Sequence, residues 1–150
     1  VRLLQTGSLP AADPKVGQAL WTLNETRRRT LAMLEDGPPE LDLDWRPAPE
    51  VSSAGDLLYH IAAIELDWLT SEVRQGDFPA GAAAWFPTDV RDEQGQLSRL
   101  EGEEMEQHLA RLNWVRGELL ATFLPTRSAP RRTDRAAAPP ALHRAAILKA

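Results

Sequence analysis

Three long stretches of this chain repeat apolar residues every three or four positions, and nowhere do β-branched and aromatic residues alternate for five or six positions. Such spacing gives each stretch one apolar face, so the chain folds by packing helices rather than strands. The first stretch opens at Asp13-Pro14, a cap followed by proline at the first helical position, where a missing N–H costs nothing. Val16, Leu20, Leu23, Thr30, Leu31 and Leu34 follow at helical spacing, and Gly37-Pro38-Pro39 ends the run. The second opens at Ser53-Ala54-Gly55-Asp56, the spacing of a capping box with Asp in its last position. Its apolar stripe reads Leu57, Ile61, Ile64 and Trp68, and Gly76 ends it. The third spans Gly102 to Leu124, with Met105, Leu109, Leu112, Val115, Leu119 and Phe123 inward and Pro125 as the stop. Pro139-Pro140 opens a short last helix, Ala141 to Ala150. Three long helices and a short one predict an all-α, up-and-down four-helix bundle with antiparallel neighbours. Its expected core is Leu20, Leu23, Leu57, Ile61, Ile64, Trp68, Leu112, Val115, Leu119 and Phe123.

A chain of 150 residues is one domain's worth. Residues 13–124 are its expected core region, followed by a basic, proline-rich segment, 125–150. Charge divides at that boundary. Residues 1–124 hold 11 basic and 21 acidic groups, and residues 125–150 hold 6 and 1. The overall net charge of −5 argues against nucleic acid as a partner, and a solvated tail is the reading of the basic segment. No apolar run is long enough to span a membrane, and residues 1–12 hold too little apolar character for a signal peptide. Cysteine is absent, which excludes disulfides, thiolate metal sites and cysteine nucleophiles and fits a cytoplasmic setting. The run Arg27, Arg28 and Arg29 reads as a solvated face. Glu101, Glu103, Glu104 and Glu106 read as complements to the dipole of the third helix. The Gly-, Ala- and Pro-rich stretch 77–96, with Phe78, Trp85 and Phe86, reads as a cover over one end of the core.

Without cysteine, histidine is the natural anchor for a transition metal, and the chain has three. His60 lies about 40° from Ile64 around the helix, on the shoulder of the apolar stripe. Glu65 is turned well away from it, and Asp67, seven residues on, is about 10.5 Å further along the axis. Any partners in a site therefore come from other helices. His108 leans toward the Leu112 face, as a polar boundary residue would. His143 precedes Arg144 on the short last segment, where a solvated position is the ordinary reading. No Gly-rich phosphate loop or G-x-S-x-G elbow is present, and no side chain stands out as a general acid or base.

Trp45-Arg46-Pro47, the Ser-capped helix with Leu57-Leu58-Tyr59-His60-Ile61-Ala62-Ala63-Ile64-Glu65 and Trp68-Leu69, and Leu112-Asn113-Trp114-Val115-Arg116-Gly117-Glu118-Leu119-Leu120 resemble the DinB/YfiT-like superfamily over roughly residues 15–124. The resemblance implies a four-helix bundle, often homodimeric, that holds a divalent metal (zinc or nickel) with three histidines. His60 matches the ligand of the second helix. Ala141-Leu142-His143-Arg144-Ala145 matches the end of the H-x-x-x-H pair on the last helix, so His143 is the implied last ligand. Pro139 stands where the family has the first histidine of that pair. The third ligand is then left to His108, to a carboxylate or to another group. The implied chemistry joins a low-molecular-weight thiol to an electrophile, or hydrolyses a substrate, since a bound divalent ion lowers the pKa of a thiol or water. The competing expectation is a non-catalytic bundle that has lost the metal and acts by dimerisation or partner binding; Pro139 favours it.

Overall fold

In the structure, a computed structural model that describes residues 6–38 and 41–124, every regular element is helical. They are α1 (Pro14–Glu35), α2 (Ala54–Trp68), which continues as a π-helical turn (Leu69–Arg74), α3 (Ala82–Trp85) and α4 (Met105–Phe123). Among the described residues the one departure from helix and loop is an isolated bridge between Arg91 and Leu97. The all-α class expected from the periodicity holds. The described residues form two compact units, one of residues 6–38, 41 and 119–124, the other of residues 42–118.

In the first unit, the Asp13 side chain accepts a hydrogen bond from the Lys15 amide at 2.7 Å and so starts α1 before Pro14. The preceding segment lies against the helix, where the Leu9 amide donates to the Gly17 carbonyl at 2.9 Å. A Cβ at Gly17 would collide with the Leu9 carbonyl, so glycine is required by this close approach. Leu20 is buried, as expected. Leu23 is not; it is 40% exposed. Arg28 and Arg29 pair with Glu25 at 2.8 and 3.0 Å on an exposed face, in keeping with a solvated charge run.

In the second unit the capping box forms as its spacing predicts. Ser53 Oγ accepts from the Asp56 amide at 3.1 Å, and Asp56 Oδ2 accepts from the Ser53 amide at 2.9 Å. The face that α2 buries is a different one from the expected stripe. Gly55, Leu58, Tyr59, Ala62, Ala63 and Leu66 are buried, followed by Leu69 and Thr70 in the π-helical turn. Leu57, Ile61 and Trp68 are 48, 42 and 65% exposed, and Ile64 is half-buried. The helix is apolar around most of its girth, so periodicity allows two stripes. The choice falls on the one with Ala62 and Ala63, whose small side chains admit a close neighbour, and with Tyr59, whose hydroxyl donates to the Thr88 carbonyl.

That neighbour is α4. Gly55 lies beside His108, the Arg111 guanidinium stacks 4.7 Å from the Tyr59 ring, Glu65 pairs with Arg116, and Arg74 pairs with Glu118. Both residue numbers rise together along the contact, so α2 and α4 run parallel, not antiparallel as the up-and-down expectation had it. A parallel pair obliges the chain to travel back along the whole of α2 and its π-helical turn, about 30 Å at 1.5 Å per residue. This is why the connection between Arg74 and Met105 is so long. It covers the core in passing: Ala82, Phe86, Val90 and Leu100 are buried, and Trp85 stacks on Trp114 of α4 with centroids 5.9 Å apart. On α4 Leu112, Val115 and Leu119 are buried as expected, Met105, Leu109 and Phe123 are half-buried, and His108 and Arg111 join the buried side. Among the described residues no helix is long and apolar enough to cross a membrane.

Candidate metal centre

His60 sits in the first half of α2 between the buried and exposed faces; the stripe on whose shoulder its spacing puts it, Leu57, Ile61, Ile64 and Trp68, is the more exposed one, and His60 borders the buried face from the other side. Its Nδ1 is buried and has no hydrogen-bond partner. A buried polar atom without a partner is uncommon and points to a ligand or to strain. Burial, and secondarily the nearby Arg91 charge, push the His60 imidazole below its usual titration range. The ring is therefore neutral near pH 7, the form in which an imidazole nitrogen can bind a metal.

His108 is 2% exposed and belongs to a different arrangement. Arg111 Nη1 lies 3.3 Å from its Nδ1. Arginine only donates, so Nδ1 accepts and the ring proton sits on Nε2. Nε2 in turn lies 3.6 Å from Glu103 Oε2. Burial lowers the His108 pKa; Glu103 opposes that and Arg111 reinforces it. The same Arg111 grips both Glu103 oxygens at 2.8 and 2.7 Å, and its Nε donates to the Trp85 carbonyl at 2.7 Å. One guanidinium thus ties α4 to α3 and to the segment before α4. Glu103 precedes the helix and serves as this partner, rather than complementing the helix dipole as expected.

A second buried charge closes the other end. Asp56 accepts from Arg46 Nη2 at 3.0 Å with both oxygens, from the Ser53 amide at 2.9 Å and from the Leu100 amide at 2.9 Å. Burial by itself raises the Asp56 pKa, but the amides of Leu100 and Ser53 and the Arg46 charge outweigh it and hold the carboxyl below its usual range. Sequence reasoning did not find Arg46, Asp56, Glu103 or Arg111 as a network. The one available signal was Arg111, an arginine three residues from His108 on the face of α4 that also carries Leu112 and Val115. A charge on a buried face has to be paired.

A model of the DinB superfamily matches residues 22–145. The chain belongs to the DinB superfamily. No curated protein and no solved structure matches it. In this DinB chain the implied ligands are unequally placed. His60 offers a neutral ring with a partnerless buried nitrogen. His108 has its Nδ1 facing a guanidinium. His143 lies outside the described residues, as does Pro139. Among the described residues no group of three or more His, Asp or Glu side chains is gathered closely enough to hold an ion. His60 is thus one arm that fits a metal.

Proposed function

We propose that this DinB protein binds a divalent metal ion through His60 and His143 and acts as a metal-dependent thiol S-transferase or hydrolase. The observation that carries the reading is the buried, partnerless Nδ1 of His60 on a ring kept neutral by its surroundings. If His60 and His143 hold a divalent ion, zinc or nickel, the chemistry it would supply is a lowered pKa for a bound thiol or water. The chain's own part is to present the ligand without a proton. Desolvation and the Arg91 charge remove the competing proton from His60. The α2 backbone, anchored by the Ser53–Asp56 capping box one turn earlier, fixes where the ring can go. His108 stands outside the ligand set in this reading, because its Nδ1 faces the Arg111 guanidinium and its Nε2 lies 3.6 Å from Glu103. The absence of cysteine supports a cytoplasmic setting, and leaves any thiol to be supplied as a co-substrate.

The test is metal content of the full chain purified without a histidine tag, by elemental analysis. The expected result is about one divalent ion per chain or per pair of chains, lost in His60→Ala with helix content retained. Wild-type protein free of metal after incubation with zinc and nickel, or His60→Ala with undiminished metal, would overturn the reading. A non-catalytic DinB protein is the second reading. It is favoured by Pro139 at the position of a family ligand.

A further inference from the structure

A cavity of about 330 Å³ opens in the second unit, between the segment that leads into α2 and the stretch 96–99. Its volume is at the small end of the roughly 300–1,000 Å³ usual for ligand pockets, so a small molecule fits it. We propose that this cavity binds a free α-amino acid with an apolar side chain, in its zwitterionic form. Three observations select that class of ligand.

The first is charge. Arg46, Asp56, Glu50 and Arg99 all line the cavity. Arg46 and Asp56 offset each other, since Arg46 Nη2 donates to both Asp56 oxygens at 3.0 Å. Glu101, 3.6 Å from Arg46 Nη1, is outside the cavity wall. Glu50 and Arg99 are left, both exposed, and they stand close together: Arg99 Nη2 donates to the carbonyl of Pro49, the residue next to Glu50. Yet they form no ion pair with each other. A lone anion placed here is opposed by Glu50, and a lone cation by Arg99. A ligand with a carboxylate and an ammonium group on one carbon satisfies both.

The second is an unmet donor. Arg46 Nη1 donates to the Asp44 carbonyl at 2.9 Å and Nη2 to Asp56, but its Nε is buried and has no partner. A buried donor left open is uncommon. A carboxylate brought against this wall has two oxygens, one for Arg99 and one for this nitrogen, and guanidinium groups suit it. The Ser52 hydroxyl, also in the wall, has no partner among the described residues and is a further donor for the carboxylate. The third is the apolar share of the wall. Val51 and Leu97 complete it, and Val51 is 42% exposed. An apolar side chain laid over Val51 takes both out of water.

The probes are L-valine, L-leucine and L-phenylalanine, each compared with the acid that lacks its amino group and the amine that lacks its carboxylate. Binding to the full chain is followed by NMR shifts of the isotope-labelled protein, with a chelator present so that the outcome is independent of the metal reading. At least one of the three amino acids should bind saturably with a Kd below about 10 mM, and about ten-fold or more tighter than either of its one-charge analogues, because a charge-assisted contact is worth a decade or more. Arg99→Gln should weaken the amino acid about ten-fold and leave the amine no weaker; Glu50→Gln should weaken the amino acid and tighten the acid. Both side chains are exposed, so neither change should cost helix content, which circular dichroism checks. No saturable binding by any of the three would overturn the proposal. An acid that binds as tightly as its amino acid would make this a plain anion site and overturn it too, as would an affinity for the amino acid that survives either substitution.

Discussion

Replacing Asp56 by asparagine keeps the shape of the side chain and removes its charge and half of its acceptor capacity. In the wild type one carboxylate satisfies a guanidinium and two backbone amides, those of Ser53 and Leu100, in a site where Asp56 itself is buried. Asparagine has a single carbonyl, so at least one buried N–H faces an NH₂ group. Losing a hydrogen bond to a charged group costs about 1.5–3 kcal/mol, and an orphaned buried donor about 1–3 kcal/mol more. Among the described residues Arg46 then keeps the more distant Glu101, at 3.6 Å, as a counter-charge. The expected loss for Asp56→Asn is therefore about 3–5 kcal/mol, the range for breaking one side of a buried pair. That is a large share of the roughly 5–15 kcal/mol typical of a folded domain.

The assay is urea unfolding followed by circular dichroism, with Ser53→Ala as the companion at about 1 kcal/mol for loss of the N-cap alone. The pH dependence gives a second reading. The folded pKa of Asp56 lies below its ordinary 3.8, so its contribution is complete above that value and lost as pH falls through the folded pKa. Asparagine does not titrate, and the gap between wild type and Asp56→Asn should narrow toward about pH 3. A loss under about 1 kcal/mol, as for an exposed pair, or a gap that stays constant down to that pH, would refute the account of Asp56 as the charge that organises this end of the unit.

Other substitutions probe the remaining contacts. The folded pKa of His108 lies below its ordinary 6.5, so the unfolded chain binds the proton more readily and stability falls as pH is lowered through that value. His108→Gln should reduce this slope, read from urea midpoints on either side of 6.5; His60, shifted in the same direction, accounts for a part that remains. Gly55→Ala places a Cβ 3.2 Å from the Leu43 carbonyl and 3.3 Å from His108 Nε2. It should destabilise by about 1–3 kcal/mol as an overpacked site does. Gly117→Ala, with nothing within 4 Å of its Cβ, should instead stabilise α4 by about 0.5–1 kcal/mol. A common sign for the two in thermal or urea unfolding would count against the packing described.

Local signals determined much of this protein. Caps, prolines and glycines act within a turn or two of chain, so Asp13-Pro14 and Ser53-x-x-Asp56 located the starts of α1 and α2 before any packing was known. The face of α4 was legible in part: Leu112, Val115 and Leu119 are buried as their spacing implies, while Trp114, on another side, stacks on Trp85. The motif around His60 carried the family, while the stripe by which that histidine was oriented is the exposed one.

Tertiary structure decided the rest. α2 is apolar on two sides, and periodicity cannot choose between Leu58, Ala62, Leu66 and Leu57, Ile61, Trp68; only the tertiary fold, which buries the first set, does. Helix direction is likewise invisible in periodicity, which is the same read forward or backward, so the parallel run of α2 and α4 emerges only from pairs such as Glu65–Arg116 and Arg74–Glu118. Glu103 and Arg111 are eight residues apart, and Arg46 and Asp56 ten; neither spacing belongs to a local motif, and each pair exists because the fold removes both partners from water together.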